Sequence, residues 1–148
     1  MLNLLPNHIE AIQKHGEHDY PHECCGLLLG KFLNNGHKSV SEIYPISNAR
    51  EEEHKRNRFL IRPAELLRAE RYAREQVLEV VGFYHSHPDC EARPSTYDLE
   101  HAWPTYSYII VSVREAYAAE LCSWELQADR SQFNHEEIVS AKEVELCQ

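Results

Sequence analysis

Val77-Leu-Glu-Val-Val-Gly-Phe-Tyr-His-Ser-His87 is the stretch whose reading decides the fold. Up to Tyr84 it is β-branched and apolar, as a central strand buried on both faces requires, and it runs directly into His85-Ser86-His87. Just before it, Pro63 fits a first helical position, and Leu66, Ala69, Ala73 and Val77 recur at helical spacing. With a short strand at Phe59-Leu-Ile61, this predicts a strand, a crossing helix and a second strand.

The pattern extends in both directions. Leu5, Ile9 and Ile12 behind Pro6 predict an amphipathic helix ending near Gly16. The apolar run Cys24-Cys-Gly-Leu-Leu-Leu-Gly30 predicts a buried strand with Glu23 at its entrance. Asn34-Asn-Gly36 signals a hairpin into a strand from about 37 to 46, and the charged residues 51 to 58 predict a mobile loop. Downstream, Pro88 and Pro94 bracket a loop, and Ser95 can cap a short helix with Asp98 at its third position. Strands are expected at Ser107–Val113 and Leu121–Leu126, with an edge strand from about Phe133 to Val139 and a polar tail from about 140. Hairpins together with crossovers predict an α/β domain with a mixed sheet.

A chain of 148 residues fits one domain, 1–148. Its 43% hydrophobic and 26% charged content are globular values. The net charge of −9 disfavours nonspecific nucleic-acid binding, which depends on neutralising phosphates. No apolar run approaches a bilayer-spanning length and none resembles a signal peptide, so no membrane association and a cytoplasmic location are expected. Five cysteines without a C-x-x-C pair argue against a disulfide scaffold. Adjacent Cys24 and Cys25 read as small buried hydrophobes on opposite faces of their strand.

Residues two apart on a strand share a face, so His85 and His87 can reach one cation while Ser86 points away. A catalytic zinc site takes three protein ligands and keeps one position for water. Asp98, on a short helix held by two prolines, is the best third ligand. His101, three residues on, reads as a surface histidine with an outer-shell role as the alternative. Amide hydrolysis also needs a carboxylate to move a proton, and Glu23 is a plausible one that spacing alone does not bring to the metal. Each position also has a plainer reading: loop histidines at 85 and 87, a helix-dipole role for Asp98, and a simple cap at Ser95.

His85-Ser-His-Pro88 followed by Ser95-Thr-Tyr-Asp98 resembles the H-x-H-x7-S-x2-D signature of the JAMM (MPN-plus) metallopeptidases. Pro21-His-Glu-Cys-Cys-Gly26 resembles that family's upstream glutamate segment. The resemblance implies a three-layer α/β/α, cytidine-deaminase-like fold, with Zn2+ on His85, His87 and Asp98, Glu23 as general acid and base, and Ser95 assisting the oxyanion. The chain looks most like prokaryotic members acting on ubiquitin-like or sulfur-carrier proteins, where they cut after a C-terminal Gly-Gly, and the 51 to 58 loop would cover that tail. A noncatalytic scaffold binding a ubiquitin-like partner is the alternative, disfavoured because every ligand is present. Deaminase chemistry is excluded by ligands: it requires H-x-E and P-C-x-x-C, whereas Pro88-Asp-Cys90 lacks the second cysteine, leaving Cys90 a loop residue near the site.

Overall fold

The computed structural model describes residues 1–47 and 61–140. In chain order the elements are β1 (Leu2–Asn3), α1 (Pro6–Asp19), β2 (Cys25–Phe32), β3 (Lys38–Ile46), α2 (Pro63–Glu75), β4 (Glu79–Pro88), α3 (Thr96–His101), β5 (Ser107–Arg114), β6 (Tyr117–Leu126), β7 (Phe133–Glu136) and β8 (Ile138–Val139). The strands form one mixed sheet in the order β7-β6-β5-β4-β2-β3-β1-β8. β4 pairs antiparallel with β2 and parallel with β5, so the apolar stretch that ends in the histidines is central, as its composition demands. The expected strand at Phe59-Leu-Ile61, the charged 51 to 58 loop and the tail beyond 140 lie outside the described residues, except Ile61, which is not in a strand.

Helices cover both faces, and each face has its own core. Ile12 of α1 packs with Leu28, Val81, Tyr84, Ile109 and Val111, while Ala69 and Ala73 of α2 pack with Cys25, Leu27 and Leu29. Cys24 belongs to the first core and Cys25 to the second, as alternation along a strand requires. Burial pushes the Cys24 thiol up to about 12 and the Cys25 thiol higher still, so both act as inert hydrophobes.

The sheet curls back on itself. A flat eight-stranded sheet would hold its edges about 34 Å apart, yet Glu137 alone separates β7, on one edge, from β8, on the other. Two residues span at most about 7 Å, so the edges must meet. Polar groups on the concave face join across the closure: Glu136 accepts hydrogen bonds from Ser107 at 2.6 Å and Ser123 at 2.8 Å, and pairs with the buried Lys38 ammonium at 3.1 Å. Such a buried pair is tolerable because its remaining oxygens and protons are satisfied, here by the serines and by Glu125, 2.7 Å from Lys38.

Several boundaries differ from the sequence expectation for local reasons. The helix α1 continues past Gly16 to Asp19 because Gly16 is not a terminator: it is buried, and a Cβ there would come within 2.9 Å of Val113. Val77 ends the crossing helix rather than extending it or opening the strand, taking φ 57 with 73% exposure. Asn34–Gly36 makes the expected hairpin connection between β2 and β3 as a 3-10 turn, with Asn35 at φ 62 and Gly36 at φ 76. The expected single edge strand after Phe133 is two strands serving opposite edges. Gly26 is required by its neighbour across the sheet, since a Cβ would lie 2.2 Å from the Tyr84 ring. Gly26→Ala should therefore destabilise the fold by about 1–3 kcal/mol, read as a lowered urea midpoint at unchanged m-value.

Candidate metal centre

The pairing of β2 with β4 sets Cys25 opposite His85. Continuing that antiparallel register by two residues brings Glu23 across from His87. Ser86, on the reverse face as its position predicts, secures this end of the pair: its hydroxyl accepts from the Cys24 N–H at 2.8 Å and its N–H donates to the Cys24 carbonyl at 3.2 Å. The donor atoms of Glu23, His85 and His87 all lie within 4.8 Å of one another, and all three residues are buried. A glutamate 62 positions upstream of the histidines thus joins them through strand register.

Asp98 arrives from the other side. Ser95 caps α3 reciprocally, its Oγ accepting from the Asp98 N–H at 3.1 Å while its own N–H donates to Asp98 Oδ2 at 2.8 Å. The capped turn aims the carboxylate at the histidines, with Oδ1 3.3 Å from His85 Nε2 and Oδ2 3.3 Å from His87 Nε2. The two Nε2 atoms are 3.1 Å apart. Asp98 thus approaches both imidazoles to 3.3 Å, while the Glu23 carboxylate lies within 4.8 Å of them. Two candidate third donors, Asp98 and Glu23, flank the histidine pair.

The donor set fits a small cation. Donors on a tetrahedron with bonds of about 2.0–2.1 Å are separated by about 3.4 Å, close to the distances among His85, His87 and Asp98. His87 Nδ1 lies 2.8 Å from the Glu91 carbonyl, which can only accept, so that nitrogen carries a proton. A neutral His87 then presents a lone pair at Nε2 to a carboxylate oxygen, an arrangement that is unfavourable unless a proton or a cation lies between them. Burial lowers the His85 pKa against the opposing pull of Asp98, favouring the neutral imidazole that a metal requires. Burial raises the Asp98 pKa, but His85, His87 and the Ser95 N–H outweigh it and hold the carboxyl below the usual range.

The remaining sequence candidates fall into place around this centre. Ser95 lines a cavity of about 430 Å3 together with Glu23, His87 and Cys90. Cys90 is an exposed loop residue, and its carbonyl is held by the Ser112 hydroxyl. His101 is exposed, bonds through Nδ1 to the Tyr97 carbonyl at 2.8 Å and stacks on the Tyr97 ring, the surface role expected for it. Sequence reading assigned Ser86 only a direction, and its clamp on Cys24 depends on a strand pairing that no local pattern announces.

Residues 5–127 match the family described as prokaryotic homologs of the JAB domain. The chain belongs to that family. It is 36% identical over 95 residues to a desampylase of Haloferax volcanii, covering 64% of this chain and 65% of the relative. It is 33% identical over 120 residues to the CysO-cysteine peptidase of Mycobacterium tuberculosis, covering 80% of this chain and 77% of the relative. A protein from Salinibacter ruber solved in solution is 40% identical at a TM-score of 0.75, covering 95% of this chain and 92% of that one. The desampylase and the CysO-cysteine peptidase are both hydrolases by name. No helix among the described residues is long and apolar enough to cross a membrane.

Removing the Ser86 hydroxyl leaves the buried Cys24 N–H without its acceptor. Ser86→Ala should therefore cost about 1–3 kcal/mol of stability, measured by urea denaturation; a change below 0.5 kcal/mol, roughly the scatter of neutral surface substitutions, would contradict the clamp.

Proposed function

We propose that this chain is a zinc-dependent peptidase or isopeptidase, a single metallopeptidase domain spanning 1–148, that cuts the bond after the C-terminal Gly-Gly of a ubiquitin-like or sulfur-carrier protein. The observation that carries the reading is the convergence of His85, His87 and the Asp98 carboxylate within 3.3 Å, with Glu23 beside them. In this reading His85, His87 and Asp98 hold the zinc. A zinc ion bound there would act as a Lewis acid toward water and the scissile carbonyl.

The other steps belong to the chain's own side chains. Glu23, buried at the mouth of β2 and lining the cavity, takes a proton from the attacking water and returns it to the departing amine. The Ser95 oxygen is fixed by the Asp98 N–H, leaving its hydroxyl proton to be donated to the oxyanion as negative charge develops. The bond from His87 Nδ1–H to the Glu91 carbonyl selects the tautomer whose Nε2 lone pair faces the centre. His85 is oriented by strand pairing and enclosed between the sheet and α3.

The names of the relatives, a desampylase and a CysO-cysteine peptidase, support this substrate class. A Gly-Gly tail suits the reading physically, because a chain without side chains can enter a narrow groove and pair with a strand edge. A cytoplasmic site of action accords with the free, buried cysteines at 24 and 25.

Carrier-protein fusions extended beyond Gly-Gly test the proposal. Zinc-loaded protein should cleave them, and chelation should stop cleavage while the far-ultraviolet circular dichroism of the fold persists. Glu23→Gln should retain zinc and lose hydrolysis by about 10²–10⁴-fold. Unchanged turnover by that variant would remove Glu23 from the chemistry.

A further inference from the structure

The cavity beside the candidate centre is bounded by Glu23, His87 and Ser95 and also carries Arg93 and Arg114. We propose that this cavity receives the departing side of the scissile bond as a free amino acid, and that Arg93 and Arg114 bind its α-carboxylate. The proposal rests on the hydrolytic reading above and specifies which amine that hydrolysis releases.

The loop that carries Arg93 is built in place. Asp89 N–H donates to the Val113 carbonyl at 2.7 Å, the Glu91 carbonyl accepts from His87 Nδ1 at 2.8 Å, and the Ala92 carbonyl accepts from Trp124 Nε1 at 3.0 Å. Ala92 itself is buried, so the loop is held between the ligand strand and the β6 surface. Arg114 projects from the end of β5, the strand parallel to the ligand strand. Both guanidinium groups therefore stand on anchored backbone, as binding of a small ligand requires.

Their existing partners leave capacity for a ligand. Arg114 Nη2 meets Glu120 at 3.3 Å and Arg93 Nε meets Glu91 at 3.5 Å, in ion pairs whose side chains are all more than 40% exposed. Such pairs contribute little, and a guanidinium has five N–H donors in a fork that matches a carboxylate. Asp89, an acidic neighbour in the same wall, has both oxygens engaged, by the Tyr20 hydroxyl at 2.7 Å and the Glu115 N–H at 3.0 Å. Arg93 and Arg114 are the cationic side chains of the cavity lining, set among the carboxylates of Glu23, Asp89 and Glu91.

The shape of the charge distribution selects the ligand. Glu23 lies at the metal end, where the leaving nitrogen gains its proton, and the cavity holds about 430 Å3, enough for an amino acid. A free amino acid leaves as a zwitterion, with an ammonium for Glu23 and a carboxylate for the arginines. A lysine joined through its side chain on a folded protein brings no free carboxylate into this cavity.

Binding and cleavage test this separately. L-Alanine and L-alaninamide are titrated into zinc-loaded protein and into Arg93→Gln/Arg114→Gln, with Arg114→Lys as the conservative variant, and Kd is read by NMR shifts. Carrier proteins ending in Gly-Gly-Ala and Gly-Gly-Ala-amide are then compared as substrates. The wild type should prefer the free carboxylate by roughly tenfold or more in both measurements; the double variant should lose the preference, and Arg114→Lys should retain part of it. Equal wild-type affinity for alanine and alaninamide would overturn the proposal, as would a preference that survives in the double variant. A preference in binding, lost in the double variant, with neither carrier cleaved would uphold the carboxylate site and remove the hydrolytic reading.

Discussion

The register between β2 and β4 is the constraint on which the rest depends. With Cys25 opposite His85, the face that carries His85 and His87 also carries Glu23, and the reverse face brings Ser86 onto the Cys24 backbone. A slip of one residue would turn every side chain of β2 to the other face, placing Glu23 in the core beneath α1 and Cys24 at the histidines. Apolar contacts guard against that slip, since Leu28 packs into one core and Leu27 and Leu29 into the other. The close fit of Gly26 against the Tyr84 ring fixes the same pairing sterically. Packing far from the chemistry thus decides which groups meet at it.

A second organising feature is the division of labour between the two faces. The concave face holds α1 and the closure of the sheet, where Lys38, Glu136 and two serines join strands from both ends. The convex face holds α2, α3 and the candidate centre. Structural polar groups and the candidate centre are thereby separated by the sheet itself, and among the described residues the Asp98 carboxylate is answered by the imidazoles and by its own capping turn.

What the sequence made legible follows from the range of each interaction. The histidine pair is a period-2 pattern on a strand, and the Ser95–Asp98 cap is a four-residue motif, so both could be read locally and both appear in the structure. Glu23 could not be brought to the site by spacing, because its position depends on pairing across some sixty residues, and only family resemblance pointed to it. β1 and β8 contain two residues each and carry no periodicity, so the edges and the curl they impose were invisible. Gly16 misled because a glycine needed for close packing looks the same in sequence as one that ends a helix.

The central claim is that His85, His87 and Asp98 are the ligands and that Glu23 stays off the metal to carry protons. Anomalous diffraction at the zinc absorption edge, from crystals of the zinc-loaded protein, tests it most directly. The account predicts an anomalous peak at bonding distance from His85 Nε2, His87 Nε2 and an Asp98 oxygen, with the Glu23 carboxylate beyond bonding distance. A peak bonded to Glu23 with Asp98 turned away, or no peak at the histidines, would contradict it.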